Sequence, residues 1–107
     1  MKYHPSDFMV GGFSENDGTI DFYLRINSII DTDSIVLDLG AGRAAWYEDD
    51  SCKTRRDIRT LKGKVKQLIA ADVDDVVLAN KSSDKQIIMT DGKIDVEPNS
   101  IDLIVAD

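Results

Sequence analysis

The sequence contains one cysteine, Cys52, and one histidine, His4, among its 107 residues. A single cysteine cannot form an internal disulfide, and these two residues cannot assemble a zinc-type ligand set, so we expect no metal site. A Ser-His-Asp or Cys-His mechanism would depend on His4, which lies close to the N-terminus, where chains are often poorly ordered. The sequence therefore argues against nucleophilic catalysis by such an arrangement.

Long apolar runs and an excess of positive charge are also missing. The first residues, MKYHPSDFMVGGF, contain no apolar signal segment, and no run reaches the length that spans a membrane, so we expect a cytoplasmic protein without a membrane partner. Thirteen Lys and Arg stand against twenty Asp and Glu, which gives a formal net charge of -7. Because nucleic-acid affinity depends largely on cationic side chains, this charge argues against a nucleic-acid partner.

The chain length and a hydrophobic content of 42% predict a single folded unit. Residues 1–18 are rich in Gly, Ser, Asn and Asp and predict an irregular lead-in, with the folded domain covering residues 19–107. From Thr19 to about Ile30 apolar residues recur at helical spacing, and Asp17 or Thr19 can serve as the N-cap. This segment predicts a helix that packs one face against a sheet.

Four short apolar segments predict strands that are buried on both faces of a parallel sheet: SIVLDL, VKQLIAAD, QIIMT and IDLIVAD. The longer connections between them are typical of βαβ units with right-handed crossovers, so the fold class is α/β. After the second strand, Asp74 can cap a short helix that ends near Asn80.

Charge clusters interrupt the connection between the first two strands. Acidic residues 48–50 and the basic residues Lys53, Arg55 and Arg56 break any single amphipathic face, which predicts a short helical turn, a loop and a second helix near residues 56–61. We interpret these clusters as a solvated surface with mutual ion pairing, and a phosphate-binding site is the less favoured alternative.

The first strand ends in a glycine turn formed by Gly40, Ala41 and Gly42. Glycines at this position let a ligand approach the backbone closely. As a dinucleotide fingerprint, Gly40 and Gly42 would be completed by Ala45, but the nearest strand-ending acid, Asp72, lies thirty positions after Gly42, which requires an unusually long crossover. Acids at or near all four predicted strand ends favour a cationic ligand over a pyrophosphate. They are Asp38, Asp72, Asp91 and Asp107.

The spacing of Asp38, Gly40 and Gly42 resembles motif I of the class I S-adenosylmethionine-dependent methyltransferases, with Ala44 where a third glycine is common. The segments IAADVDDVVLAN and TDGKIDVEPNSIDLIVAD are similar to that family's later motifs, so the resemblance covers residues 35–107. It implies a Rossmann-like, doubly wound, mainly parallel sheet whose first four strands have the order 3-2-1-4. It also implies a set of residues that bind S-adenosylmethionine: Asp38, Gly40, Ala41, Gly42, Asp72 for the ribose hydroxyls, Val73 for the adenine, and Asp91 with Gly92 for the adenine amino group.

Methyl transfer requires that donor and acceptor be held in line, and Asp107 is the catalytic candidate because the resemblance places it beside the methyl group. The acceptor that we expect is a small molecule, a saccharide or a lipid. Family members continue through further strands, so we expect a truncated domain whose apolar fourth strand favours pairing with a second copy. Two alternatives remain open: a non-catalytic cofactor-binding or partner-binding module, and an NAD-dependent Rossmann enzyme.

Overall fold

A four-stranded parallel sheet forms the centre of the protein, with the strand order β3-β2-β1-β4. The computed structural model describes residues 17–106, so His4, Asp107 and nearly all of the lead-in lie outside the described residues. Its helices and strands are α1 (Gly18–Ile29), β1 (Ile35–Leu39), α2 (Ala45–Asp49), α3 (Lys53–Arg59), β2 (Gln67–Asp72), a 3₁₀ helix (Asp75–Ala79), β3 (Lys85–Ile88) and β4 (Leu103–Val105). The predicted α/β, Rossmann-like fold and its strand order are confirmed.

Helix α1 begins where an acidic side chain can satisfy its first backbone amides. The Asp17 carboxylate accepts a hydrogen bond from the backbone N–H of Ile20, 3.0 Å away, which selects Asp17 over Thr19 as the N-cap. Tyr23 and Ile26, three positions apart, are buried against the sheet. The predicted helix is confirmed, displaced by one residue at each end.

The two faces of the sheet are covered differently. On one face Val36, Leu68 and Val105 pack with Tyr23 and Ile26 of α1 in a common core. On the opposite face a second core contains alternate residues of β1 and β2 and is covered by side chains of the β3–β4 connection. Its members are Leu37, Ile69 and Ala71, packed by Ile35, Leu39, Ile87, Met89, Ile94, Val96 and Ile101. Successive residues of β1 and β2 therefore enter different cores. This explains why the apolar residues of these segments are nearly continuous in the sequence.

Two aspartates define where the outer strands begin. The Asp84 carboxylate, just before β3, accepts a hydrogen bond from Leu68 N at 2.7 Å, and the Asp102 carboxylate, just before β4, accepts one from Ile35 N at 2.8 Å. Each side chain takes the place of a backbone carbonyl at the amino end of its neighbouring strand. Strand β4 is shorter than the predicted segment, which covers residues 101–107.

The first crossover contains the predicted short helix, loop and second helix, although α3 begins three residues before the predicted start. The Lys53–Asp57 pair is exposed, as a solvated surface requires. Arg55 differs, since its side chain is only 24% exposed and pairs with Asp17 at 2.9 Å and Asp50 at 2.7 Å. The mutual ion pairing that we predicted for these clusters is present between Arg55 and Asp50. The prediction of a solvated surface is wrong at Arg55, because the α2–α3 corner packs against the start of α1 and encloses it.

Strand β4 forms one edge of the sheet. Within residues 17–106 it pairs with β1 alone, and the side chain of Ile104 is 56% exposed. None of the helices in this part of the chain is long and apolar enough to span a membrane.

Candidate functional site

The glycine turn at the end of β1 needs backbone conformations that only glycine adopts without strain. Gly40 has φ +71° and Gly42 has φ +57°, both in the left-handed region. A Cβ atom added at Gly40 would meet no heavy atom within 4 Å, so the surface above this residue is open. A ligand can therefore reach the backbone here without displacing any side chain.

Backbone and side-chain hydrogen bonds attach this turn to the end of β2. The amides of Gly40 and Ala41 both donate to the carbonyl of Ala71, at 2.8 and 3.3 Å. Gly42 N donates to Oδ2 of Asp72 at 2.9 Å, and Asp74 N donates to Oδ1 of the same carboxylate at 3.1 Å. The structure thus brings the predicted glycines and the predicted ribose-binding acid into direct contact.

The Asp72 carboxylate keeps hydrogen-bonding capacity despite these two contacts. An ionised carboxylate has about four lone-pair positions, and the two backbone amides occupy one on each oxygen. Asp72 is half-buried at the edge of the sheet, so the remaining positions can face a ligand. This capacity fits a pair of neighbouring hydroxyl groups, such as those of a ribose.

Asn80 is a residue at the glycine turn that the sequence prediction missed. Its side chain, 4% exposed, donates from Nδ2 to the carbonyl of Gly42 at 2.9 Å. Its Oδ1 accepts hydrogen bonds from the hydroxyls of Ser82 and Ser83, at 2.9 and 3.0 Å. The polar stretch Asn80–Ser83 is the only sequence signal of this role. Asn80 therefore holds the glycine turn at Gly42 O, while Asp72 holds it at Gly42 N.

Helix α2 follows the turn without a side-chain cap. Its N-cap residue, Ala44, is buried and has φ +57°, a conformation that costs an alanine about 1 kcal/mol relative to glycine. This is the position where the methyltransferase motif commonly has a third glycine. Ala44 thus adopts the left-handed backbone conformation that a glycine would adopt here without strain.

The other predicted residues lie around the carboxyl ends of the strands. Asp38 is half-buried on β1, on the same face as Val36, and Val73 is 73% exposed immediately after Asp72. Asp91 and Gly92 follow β3 as the two central residues of a tight turn, both with positive φ, and the flanking Thr90 and Lys93 are joined by reciprocal backbone hydrogen bonds.

No hydrogen bond or ion pair joins the Asp91–Gly92 turn to the glycine turn among the described residues. The turn geometry accounts for an Asp-Gly pair without any ligand, and a role in adenine binding stays a prediction. The predicted catalytic residue, Asp107, lies outside the described residues.

The chain matches no known protein family, no curated protein and no solved structure. Within residues 17–106 no three His, Cys, Asp or Glu side chains are grouped so that they could hold a metal ion. The site consists of an open glycine backbone, a half-buried carboxylate and an exposed apolar residue. Such an arrangement can bind a polar group through the backbone, hydroxyls through Asp72 and a flat apolar surface against Val73.

The variant Asn80→Ala tests whether Asn80 positions the turn. It removes the donor to Gly42 O, and we expect a loss of stability of about 2 kcal/mol. If the turn binds the cofactor that the sequence resemblance implies, the affinity for S-adenosylhomocysteine, measured by calorimetry, should also fall roughly tenfold. Asn27→Ala is the matched control, because Asn27 donates to the carbonyls of Tyr23 and Ile58 at 2.7 and 2.9 Å, away from the turn. A similar loss of affinity in both variants would contradict a specific role for Asn80.

Proposed function

We propose that this chain binds S-adenosylmethionine and forms the donor-binding part of a methyltransferase. The observation that carries the proposal is the hydrogen bond between Gly42 N and the carboxylate of Asp72. It joins the carboxyl ends of β1 and β2, the two central strands of the sheet. Open α/β sheets bind their ligands at the carboxyl ends of the strands. The two features that the sequence prediction assigned to one ligand are therefore in direct contact, which supports the proposal.

The chemistry of this site fits the methyl donor in three respects. The open backbone at Gly40 admits the amino-acid part of the donor, and the remaining lone pairs of Asp72 accept hydrogen bonds from the ribose hydroxyls. The exposed side chain of Val73 offers an apolar surface for the adenine ring. Bound there, the donor supplies an electrophilic methyl group on a positively charged sulfur, and the carboxylates of Asp38 and Asp72 complement that charge.

The residues of this chain contribute orientation rather than covalent chemistry. In-line methyl transfer needs the donor to be held at one angle to the acceptor, and a turn fixed by Ala71, Asp72 and Asn80 provides a rigid support for it. In this proposal Asp107 is the base that accepts the proton of the methyl acceptor. The acceptor in this proposal is a small molecule, a saccharide or a lipid. We also propose that a second copy of the chain pairs with the exposed edge of β4.

The variant Asp72→Ala tests the proposal at its central contact. Loss of the carboxylate removes the acceptor for both ribose hydroxyls and an anchor of the turn, so we expect S-adenosylhomocysteine to bind about a hundredfold more weakly. Asp75→Ala is the control, because Asp75 is an exposed neighbouring acid and its loss changes the net charge equally. Unchanged affinity in Asp72→Ala, or an equal loss in Asp75→Ala, would contradict the proposed site.

A further inference from the structure

A positively charged depression of about 520 Å³ lies on the helical layer of the protein. It is lined by Tyr47 of α2, by Arg56 and Asp57 of α3, and by Thr60, Lys62 and Lys64 of the turn that follows. None of these residues belongs to the proposed donor site. The volume is within the range of small-molecule pockets, which is about 300–1,000 Å³.

Two of the three cations that line this depression, Arg56 and Lys64, are held by uncharged groups. Arg56 donates from a terminal guanidinium nitrogen to the carbonyl of Asp50 at 2.8 Å. The Lys64 ammonium donates to the carbonyl of Asp57 at 2.7 Å and to Oδ1 of Asn27 at 3.3 Å. These contacts fix the two side chains in place without neutralising their charges.

The remaining charges leave the depression strongly positive. The carboxylate of Asp57 is paired with the ammonium of Lys53, 2.8 Å away. Lys62 is exposed and has no ion-pair partner within residues 17–106. Arg56, Lys62 and Lys64 thus contribute three positive charges against the single carboxylate of Asp57, which is paired with Lys53, in a chain whose net charge is -7.

The pKa values of two lining residues, Lys64 and Asp57, are shifted by their surroundings. Partial burial lowers the pKa of the Lys64 ammonium, so an anion beside it would be favoured because it restores the stability of the charged form. The pKa of Asp57 is also lowered, chiefly by the hydrogen bond from Lys53, with the charges of Lys53, Arg56 and Lys64 adding to the effect.

We propose that this depression binds the phosphate group of a small molecule. A phosphate carries nearly two negative charges and three acceptor oxygens, which suits a depression lined by one arginine and two lysines. The sequence prediction left a phosphate site open for the basic cluster at 53–56, and the structure separates its members. Lys53 and Arg55 are paired with carboxylates, while Arg56 joins Lys62 and Lys64.

Titration of the folded chain with inorganic phosphate, followed by backbone NMR and calorimetry at constant ionic strength, tests this site. We expect saturable binding with a dissociation constant of about 1 mM, with the amide shifts concentrated at Tyr47, Arg56, Thr60, Lys62 and Lys64. Lys62→Gln should weaken phosphate binding about fivefold or more. Lys66→Gln, which removes an equal charge from an exposed position outside the depression, should change it by less than about twofold.

Two results would overturn the assignment. The first is phosphate binding that does not saturate, in a chain shown to be folded. Binding to vesicles that contain phosphatidylserine, without saturable binding of phosphate, counts as the same result. The second is an equal loss of phosphate affinity in Lys62→Gln and Lys66→Gln, which would indicate general attraction rather than a site. Neither result depends on whether the chain binds S-adenosylmethionine.

Discussion

Gly40→Leu is expected to abolish measurable binding of S-adenosylhomocysteine, a loss of at least about a hundredfold, while the chain stays folded. A Cβ added at this position meets no protein atom within 4 Å, so the new side chain starts in open space. It would occupy the space that we assign to the ligand. Because the backbone at position 40 is left-handed, with φ +71°, a leucine there should lower the stability of the folded state by about 1–2 kcal/mol relative to glycine.

Gly63→Leu separates that backbone cost from the loss of the ligand space. Gly63 has φ +88°, and a Cβ added there also meets nothing within 4 Å, but it lies in the turn that precedes β2. Both variants should lose similar stability in urea unfolding, and only Gly40→Leu should lose the ligand. Retained affinity in Gly40→Leu would contradict the site.

Arg55→Gln is expected to lower the free energy of unfolding by about 3 kcal/mol. Arg55 joins three helices, because Nη1 contacts the α1 N-cap Asp17 at 2.9 Å while Nε and Nη2 each contact Asp50, the C-cap of α2, at 2.7 Å. The carboxylates of Asp17 and Asp50 are only 12% and 9% exposed. Removal of Arg55 would therefore leave two nearly buried negative charges without their cation. Urea unfolding measures the loss.

Arg25→Gln is the matched control for this prediction. Arg25 pairs with Asp21 at 3.3 Å, but both side chains are well exposed, so we expect a loss below about 0.5 kcal/mol. Equal losses in Arg25→Gln and Arg55→Gln would show that the enclosed cluster contributes no more than a surface pair.

The pH dependence of stability provides a second check on the Arg55 cluster. Hydrogen bonds from Arg55 lower the pKa of Asp50 from 3.8 to about 2, and the pKa of Asp17 is lowered chiefly by the hydrogen bond from Ile20 N and further by Arg55. Because the folded-state pKa is depressed, the contribution of Asp50, about 2 kcal/mol, is complete above pH 4 and is lost as the pH falls towards 2. The difference between the wild-type protein and Arg55→Gln should shrink over the same interval.

The sheet could be predicted from the sequence because burial on both faces leaves a direct trace. Val36 and Leu37 are successive residues of β1 that enter different cores, so neither position admits a polar side chain. The predicted helix cap at Asp17 and the break between α2 and α3 also depend on local rules of backbone hydrogen bonding and charge patterning.

The contacts that support the site could not be predicted because they join distant residues. Asn80 lies 38 positions after Gly42, and Arg55 lies 38 positions after Asp17, yet each pair forms a hydrogen bond. An asparagine near a helix end and an arginine in a charged segment are common on protein surfaces. The residue types and their sequence neighbours therefore do not indicate that these side chains are buried. Only the packing of the folded chain encloses them.

Calorimetric titration of the unmodified chain with S-adenosylhomocysteine, and in parallel with NAD, tests the central claim most directly. The proposed function predicts saturable binding of S-adenosylhomocysteine at one site per chain and no heat of binding with NAD. Binding of NAD alone, or of neither ligand by a chain that circular dichroism shows to be folded, would contradict the assignment of the glycine turn to the methyl donor.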